Sequence, residues 1–189
     1  MTANKKYNII YADPPWSFGN KKTGGSLISG ASSQYDVMSV TDIKELPLIK
    51  EITEDDCFLF MWWVASMPKE ALDVVDAWGF TLKTMTAFSW IKKTKKLKDH
   101  FGMGFYTRQQ QEHCLIAVKG KPKVLSHSVR QNVREVNIKH SKKPIIVRDN
   151  IIELCGDIPR IELFARETAK GWDSWGNEVN NKEEENNDK

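Results

Sequence analysis

The sequence predicts an α/β protein whose mixed, mainly parallel sheet is flanked by helices, and three observations point to it. Residues 56–64, from Asp56 to Val64, form a continuous apolar run bounded by charge, the pattern of a strand buried on both faces. A stretch with Ala71, Leu72, Val74, Val75 and Trp78 at helical spacing follows, and then a second strand over 81–91. Together these make a strand–helix–strand unit, the building block of a parallel sheet. The third observation is a pair of short apolar strands at opposite ends of the chain, over 7–12 and 160–165. The 189 residues suit one domain, expected over 1–179, with a full-sized core.

In chain order, the first strand runs straight into Asp13-Pro14-Pro15-Trp16. Neither proline has an N–H to donate to a sheet ladder, and each pushes the residue before it into an extended conformation. The strand therefore ends in a stiff arm with Asp13 and Trp16 at its tip. In open α/β sheets, that end of a strand is where ligands bind. Residues 17–36 are rich in Gly and Ser and predict a mobile loop able to close over the tip. Ser39 or Thr41 caps a short helix through Ile49. Ser66 caps the next helix, with Pro68 in its first turn and Gly79 as terminator.

Residues 92–108 hold Lys92, Lys93, Lys95, Lys96, Lys98 and Arg108, with Gly102 and Gly104. They predict a flexible basic loop that neutralises phosphates. A strand over 112–119 follows. Residues 121–141, with Arg130, Arg134, Lys139 and His140, are expected to be irregular, part of a nucleic-acid face or partly disordered. Lys143-Pro144 opens a helix that Cys155-Gly156 ends, and the strand over 160–165 comes next. Residues 171–178 are aromatic and turn-like. The tail over 180–189 has no apolar residue and is expected to be disordered. Trp62 and Trp63 are read as core.

No apolar run approaches membrane-spanning length, and the N-terminus has no apolar signal region, so the expectation is a cytoplasmic protein without a membrane partner. Cys57, Cys114 and Cys155 sit in apolar runs with no CxxC pair, which argues against a disulfide framework or a zinc site; no metal is expected. The net charge of +3 hides an asymmetry. Between Lys83 and Arg148, 16 Lys/Arg stand against Asp99, Glu112 and Glu135, leaving 12 bases and 22 acids elsewhere. A basic middle with acidic flanks suits a polyanionic partner met on one face. The oligomeric state is left open between monomer and homodimer.

The tip of the first strand carries chemistry. The carboxylate of Asp13 and the carbonyl of Pro14 are two acceptors for the N–H groups of a planar amine such as adenine's. They would draw its nitrogen toward a tetrahedral geometry and stabilise the positive charge that builds as a methyl group arrives. Trp16 offers a flat face for a base to stack on.

Asp13-Pro14-Pro15-Trp16 resembles the signature of the adenine-N6 methyltransferases that include the catalytic subunit of the eukaryotic mRNA methyltransferase. The run from Glu112 to Gly120, Lys143-Pro144, the run from Ile161 to Arg166 and the run from Gly171 to Glu178 resemble that family's other blocks, in its order. The resemblance implies a Rossmann-like S-adenosylmethionine-dependent fold of permuted order, with the catalytic motif before the cofactor-binding strand. It implies S-adenosylmethionine as donor and S-adenosylhomocysteine as product. It places Asp13, Pro14, Pro15 and Trp16 in the catalytic site, with Asp13 also beside the donor. Lys143 would meet the donor's carboxylate, and Arg166, Asn177 and Glu178 its ribose.

Two departures stand out. Only 12 residues precede Asp13, so the donor's adenine must be held from elsewhere. Glu167-Thr168 replaces a polar pair with histidine found in some relatives, which leaves Thr168 as a substitute. The implied activity is methylation of adenine N6 in nucleic acid, with DNA preferred after the family's small bacterial and phage members. The alternatives are RNA adenosine methylation and a non-catalytic nucleic-acid-binding subunit, though the intact tetrad speaks against the latter. Protein-glutamine methyltransferases usually carry Asn-Pro-Pro-Tyr instead.

Overall fold

The computed structural model describes residues 5–17, 38–102, 106–136 and 142–179. The Gly/Ser-rich loop beyond Ser17, Gly104, Lys139, His140 and the polar tail lie outside the described residues. Seven strands form one sheet: β1 (Tyr7–Ala12), β2 (Thr53–Trp63), β3 (Thr81–Lys93), β4 (Gln111–Lys119), β5 (Asn132–Val136), β6 (Arg160–Leu163) and β7 (Asp173–Trp175). Their spatial order is β5-β3-β4-β2-β1-β6-β7. The β1–β2, β1–β6, β3–β5 and β6–β7 pairs are parallel. Only β4 is reversed, and it lies between β2 and β3. This is the mixed, mainly parallel, Rossmann-like sheet that the sequence predicts.

The strand–helix–strand unit is present but split, because β4 inserts between β2 and β3 and pairs with both. Three further details differ from expectation. Residues 121–141 include β5, an edge strand whose short polar sequence lacks the alternation that marks one in advance. The turn-like aromatic segment includes β7. The single helix expected through Ile49 is two, α1 (Val40–Lys44) and α2 (Leu48–Ile52), with Pro47 between them.

Helix starts follow local chemistry. Ser39 caps α1 in a capping box with Asp42, each side chain bonding the other's backbone N–H. α3 (Pro68–Ala77) begins with Pro at its first position, but its cap residue is Met67, and Ser66 lies outside. α4 (Ile146–Cys155) follows Pro144 by one residue and stops at Gly156, whose φ of +95° disfavours side-chain-bearing residues.

Alternation along the strands divides the core in two. Ile10, Ala12, Leu59 and Met61 pack with Ile43, Ile49, Ala71, Val74 and Val75 of α1–α3 on one face. Ile9, Tyr11, Phe60, Trp62 and Trp90 pack with Val147, Ile151 and Cys155 of α4 on the other. Burying each such large apolar side chain is worth about 1.5–3 kcal/mol. Among the described residues, no helix is long and apolar enough to cross a membrane.

Candidate active site

Parallel β1, β2, β3 and β6 end at one edge of the sheet, and antiparallel β4 begins there. β1 delivers Asp13 to this edge, β3 delivers Lys92, and β4 brings Glu112 and His113. The segment before α4 contributes Lys143. Its Nζ lies 2.7 Å from Asp13 Oδ2 and 3.2 Å from Glu112 Oε2. Glu112 also pairs with Lys92, whose ammonium sits 5.0 Å from the centre of the Trp90 ring. Asp13, Lys143, Glu112 and Lys92 thus form a chain of alternating charge.

Burial pushes the Glu112 carboxyl up, but Lys143 and Lys92 outweigh it and bring the pKa down to about 2. Burial pulls the Lys143 ammonium down, and Asp13 and Glu112 reverse this, raising it to about 12. Glu112 and Lys143 are therefore both charged at neutral pH. The Trp62 ring lies beneath it, 5.4 Å from Lys143 Nζ.

The arm itself is pinned. Asp13 N–H donates to the carbonyl of Leu163 at 3.4 Å, extending the β1–β6 ladder by one residue. Trp16 N–H donates to the Pro14 carbonyl at 2.8 Å, closing a tight turn across Pro15 and leaving that oxygen one lone pair. Met38 N–H donates to the Pro15 carbonyl at 3.0 Å, so the chain returns beside the arm.

Trp16 departs from its expected role. It is only 6% exposed, and its indole N–H donates to the Trp62 carbonyl at 3.0 Å. A ring with both faces packed offers no stacking surface, and Trp16 instead anchors the arm to β2. Trp62 is core, as expected, and its own N–H donates to Tyr11 Oη at 2.7 Å. Trp63 is partly buried, with its N–H on the Met85 carbonyl at 2.9 Å.

The remaining candidate residues follow β6 and β7. Ala165 N–H donates to the Trp175 carbonyl at 2.9 Å. Gly176 allows this approach, since a Cβ there would lie 2.3 Å from the Ala165 oxygen. Phe164 turns the chain with φ of +59° and meets Trp175 edge-on, ring centres 5.5 Å apart. This closure sets Arg166 beside Glu178, Nε to Oε1 3.8 Å, with Asn177 and Glu178 exposed. Thr168 is exposed on the segment that follows. Lys142 binds Glu167 at 2.8 Å, joining the Lys143 segment to this half.

Glu162 is buried and held by Arg148 of α4 through two bonds of 2.7 and 3.0 Å. That fork fixes α4, and with it Lys143, against β6.

The candidate nucleic-acid residues divide. Lys92 belongs to the buried-edge network and is not a solvent-facing phosphate contact. Lys93 pairs with Asp99 at 2.5 Å. Lys95, Lys96 and Lys98 are exposed, and the exposed Arg108 lies over the Phe101 ring at 4.7 Å. Arg130 and Arg134 line a groove of about 370 Å³ beside edge strand β5, shared with Glu135 and Glu153 and four strands from β1. Sequence reasoning missed Glu112 as a site residue. Its signal was present: an acid opening an apolar strand, in a stretch with only two other acids. Among the described residues, no group of three or more His, Cys, Asp or Glu gathers as a metal would need.

The candidate residues offer two kinds of polar group. Lys143 supplies a cation, Asp13 an acceptor beside it, and Asn177 and Glu178 an amide and a carboxylate. Comparison with known proteins identifies the family. The MT-A70 family model matches residues 7–178. The chain is 35% identical to the Type II methyltransferase M.MunI of Mycoplasma sp., over 93% of this chain and 78% of that protein. It is 25% identical to the human N(6)-adenosine-methyltransferase catalytic subunit METTL3, over 92% of this chain, and similarly related to an MT-A70-like protein of Medicago truncatula. It spans little more than a quarter of the length of these two proteins. With the match running from the first strand to the turn after the last, the chain belongs to the MT-A70 family.

Proposed function

We propose that this methyltransferase modifies the 6-amino group of adenine in DNA. The observation that carries the reading is Asp13, a carboxylate fixed at the tip of β1 by Lys143 and the β6 ladder. It stands at the open edge of the sheet, where a flipped base can enter. Identity to a Type II methyltransferase over most of both chains favours DNA. S-adenosylmethionine, when bound, supplies an electrophilic methyl group.

This chain's residues do the rest. Asp13 accepts one N–H of the adenine amine and the remaining lone pair of the Pro14 carbonyl accepts the other, so the nitrogen lone pair is freed from the ring. Both oxygens are fixed before the substrate arrives and oppose the positive charge that develops, without reorganising. Asp13 then takes up the proton that the methylated amine sheds. Lys143, held between Asp13 and Glu112, offers its charge to the donor's carboxylate. Arg166, Asn177 and Glu178 bind the donor ribose, and Thr168 lies at the margin of that subsite. Glu112 and Lys92 position Lys143. Trp16 fixes the arm and does not touch the base.

The names of the eukaryotic relatives favour a second reading, RNA adenosine methylation. The test is incubation with labelled donor and, separately, duplex DNA, single-stranded DNA and RNA, followed by nucleoside analysis. N6-methyladenine in DNA is the expected product. Label in RNA alone selects the second reading, and no label in any polymer leaves a binding subunit.

A further inference from the structure

The connection from β3 to β4, described over 94–102 and 106–110, forms a finger that carries three exposed apolar side chains. Leu97, Phe101 and Tyr106 are 72%, 70% and 101% exposed. An exposed leucine or aromatic is common on its own, but three fall on this one connection. Its described residues are held by backbone bonds. Thr94 N–H donates to the Lys98 carbonyl at 2.8 Å, His100 N–H to the Lys92 carbonyl at 3.1 Å and Gly102 N–H to the Gln109 carbonyl at 3.1 Å. Lys93 and Asp99 clamp its base.

Leu97 has φ of +60°, a region where glycine or asparagine costs less. The chain accepts that strain to present an apolar side chain to solvent, a local departure of the kind found at functional sites. Arg108 sits over Phe101, with Cζ 4.7 Å from the ring centre.

Position and charge identify the occupant. The finger rises directly from Lys92, which joins through Glu112 and Lys143 to Asp13. Lys95, Lys96 and Lys98 flank Leu97 in the chain and are exposed. A polyanion with apolar faces between its charges matches this surface, and a nucleic-acid duplex is such a partner. A second copy of the chain would bring the same lysines against these.

We propose that the finger is a wedge. Leu97 and Phe101 press on the base pair beside the target adenine and fill the gap its extrusion leaves, while Lys95, Lys96 and Lys98 hold the adjoining phosphates. This rests on the reading of DNA as substrate. The wedge matters only where a base must be taken out of a stack, so its loss is specific to paired DNA.

The test uses the full chain with Leu97→Ala and Phe101→Ala combined. Duplexes carry 2-aminopurine at each adenine in turn, and its fluorescence reports unstacking whether or not methylation occurs. Wild-type protein should brighten at least one probe position, and the variant should lose that signal. Methylation of the paired duplex should fall about tenfold, while the same strand unpaired is modified as before. Phe101→Trp with Leu97 intact should keep both readouts. Equal fluorescence in wild type and variant, or equal loss on paired and unpaired DNA, overturns the wedge. So does sedimentation showing that the changes dissociate a dimer, which would make the patch a self-interface. Failure of wild-type protein to methylate any DNA strikes at the substrate reading alone, since the fluorescence comparison still decides the wedge.

Discussion

Lys143 Nζ and Asp13 Oδ2 lie 2.7 Å apart although 130 positions separate them in the chain. The contact joins the arm after β1 to the segment that opens α4. Asp13→Ala removes the acceptor and leaves Lys143 with Glu112. Turnover should fall at least about 100-fold while circular dichroism is unchanged. Asp13→Asn should rescue little, since an amide carries no charge for the developing cation. Near-normal kcat in either variant would refute the assignment.

Glu112 has an effect readable from pH. Its folded pKa of about 2 lies below its ordinary value of 4.5. A depressed carboxyl binds its proton more weakly when folded than when unfolded. The stability it contributes is therefore present above about pH 4.5 and is lost as pH falls toward 2. Urea denaturation at pH 6 and pH 3 should show that Glu112→Gln loses less stability over this interval than wild type, by on the order of 2 kcal/mol. Parallel losses in the two proteins would mean that the ion pairs contribute nothing.

Donor binding is separable from catalysis. Lys143→Ala and Asn177→Ala should each weaken S-adenosylmethionine binding in calorimetry, by about tenfold or more for the charged contact. Unchanged affinity in both variants would remove Lys143 and Asn177 from the donor site.

Trp16 is expected to act through stability. Trp16→Phe leaves the buried Trp62 carbonyl without its donor and should cost about 1–3 kcal/mol. Trp16→Ala should cost about 3–5 kcal/mol through the cavity it opens. Chemical denaturation measures both. If Trp16→Ala keeps wild-type stability and loses only substrate affinity, the ring is a stacking platform after all.

The lysines should divide by salt. Lys95, Lys96 and Lys98 changed together to Gln should lower the slope of log affinity against log salt by up to about 2–3, if each meets one phosphate. Lys92→Gln should leave that slope alone and reduce turnover, because Lys92 serves Glu112. The measurement is binding of one oligonucleotide at several salt concentrations, alongside initial rates.

Much of this protein was legible in its chain. Pro14 and Pro15 stop β1 whatever surrounds them, because an imide nitrogen has no proton to give. The apolar run through Phe58, Phe60 and Trp62 had to be buried on both faces, and the helical spacing of Ala71, Val74 and Val75 had to cover it. The order of these elements was enough to anticipate an α/β sheet with Asp13 at a strand tip, while Lys143 was singled out by the resemblance of Lys143-Pro144 to a family block.

What the sequence could not decide was which distant elements become neighbours. β4 slips between β2 and β3, and only that pairing carries Glu112 to Lys143 and Lys92. β5 and β7 are strands because an edge was free beside β3 and β6, which their own residues do not specify. Trp16 followed the same logic. A tryptophan at the end of a stiff arm can face solvent or the core, and the carbonyl of Trp62, 46 positions away, turned it inward. Local sequence sets what a segment can form. The partner for each charge and each open hydrogen bond is a property of the folded chain, since a buried group must find one wherever the topology places it.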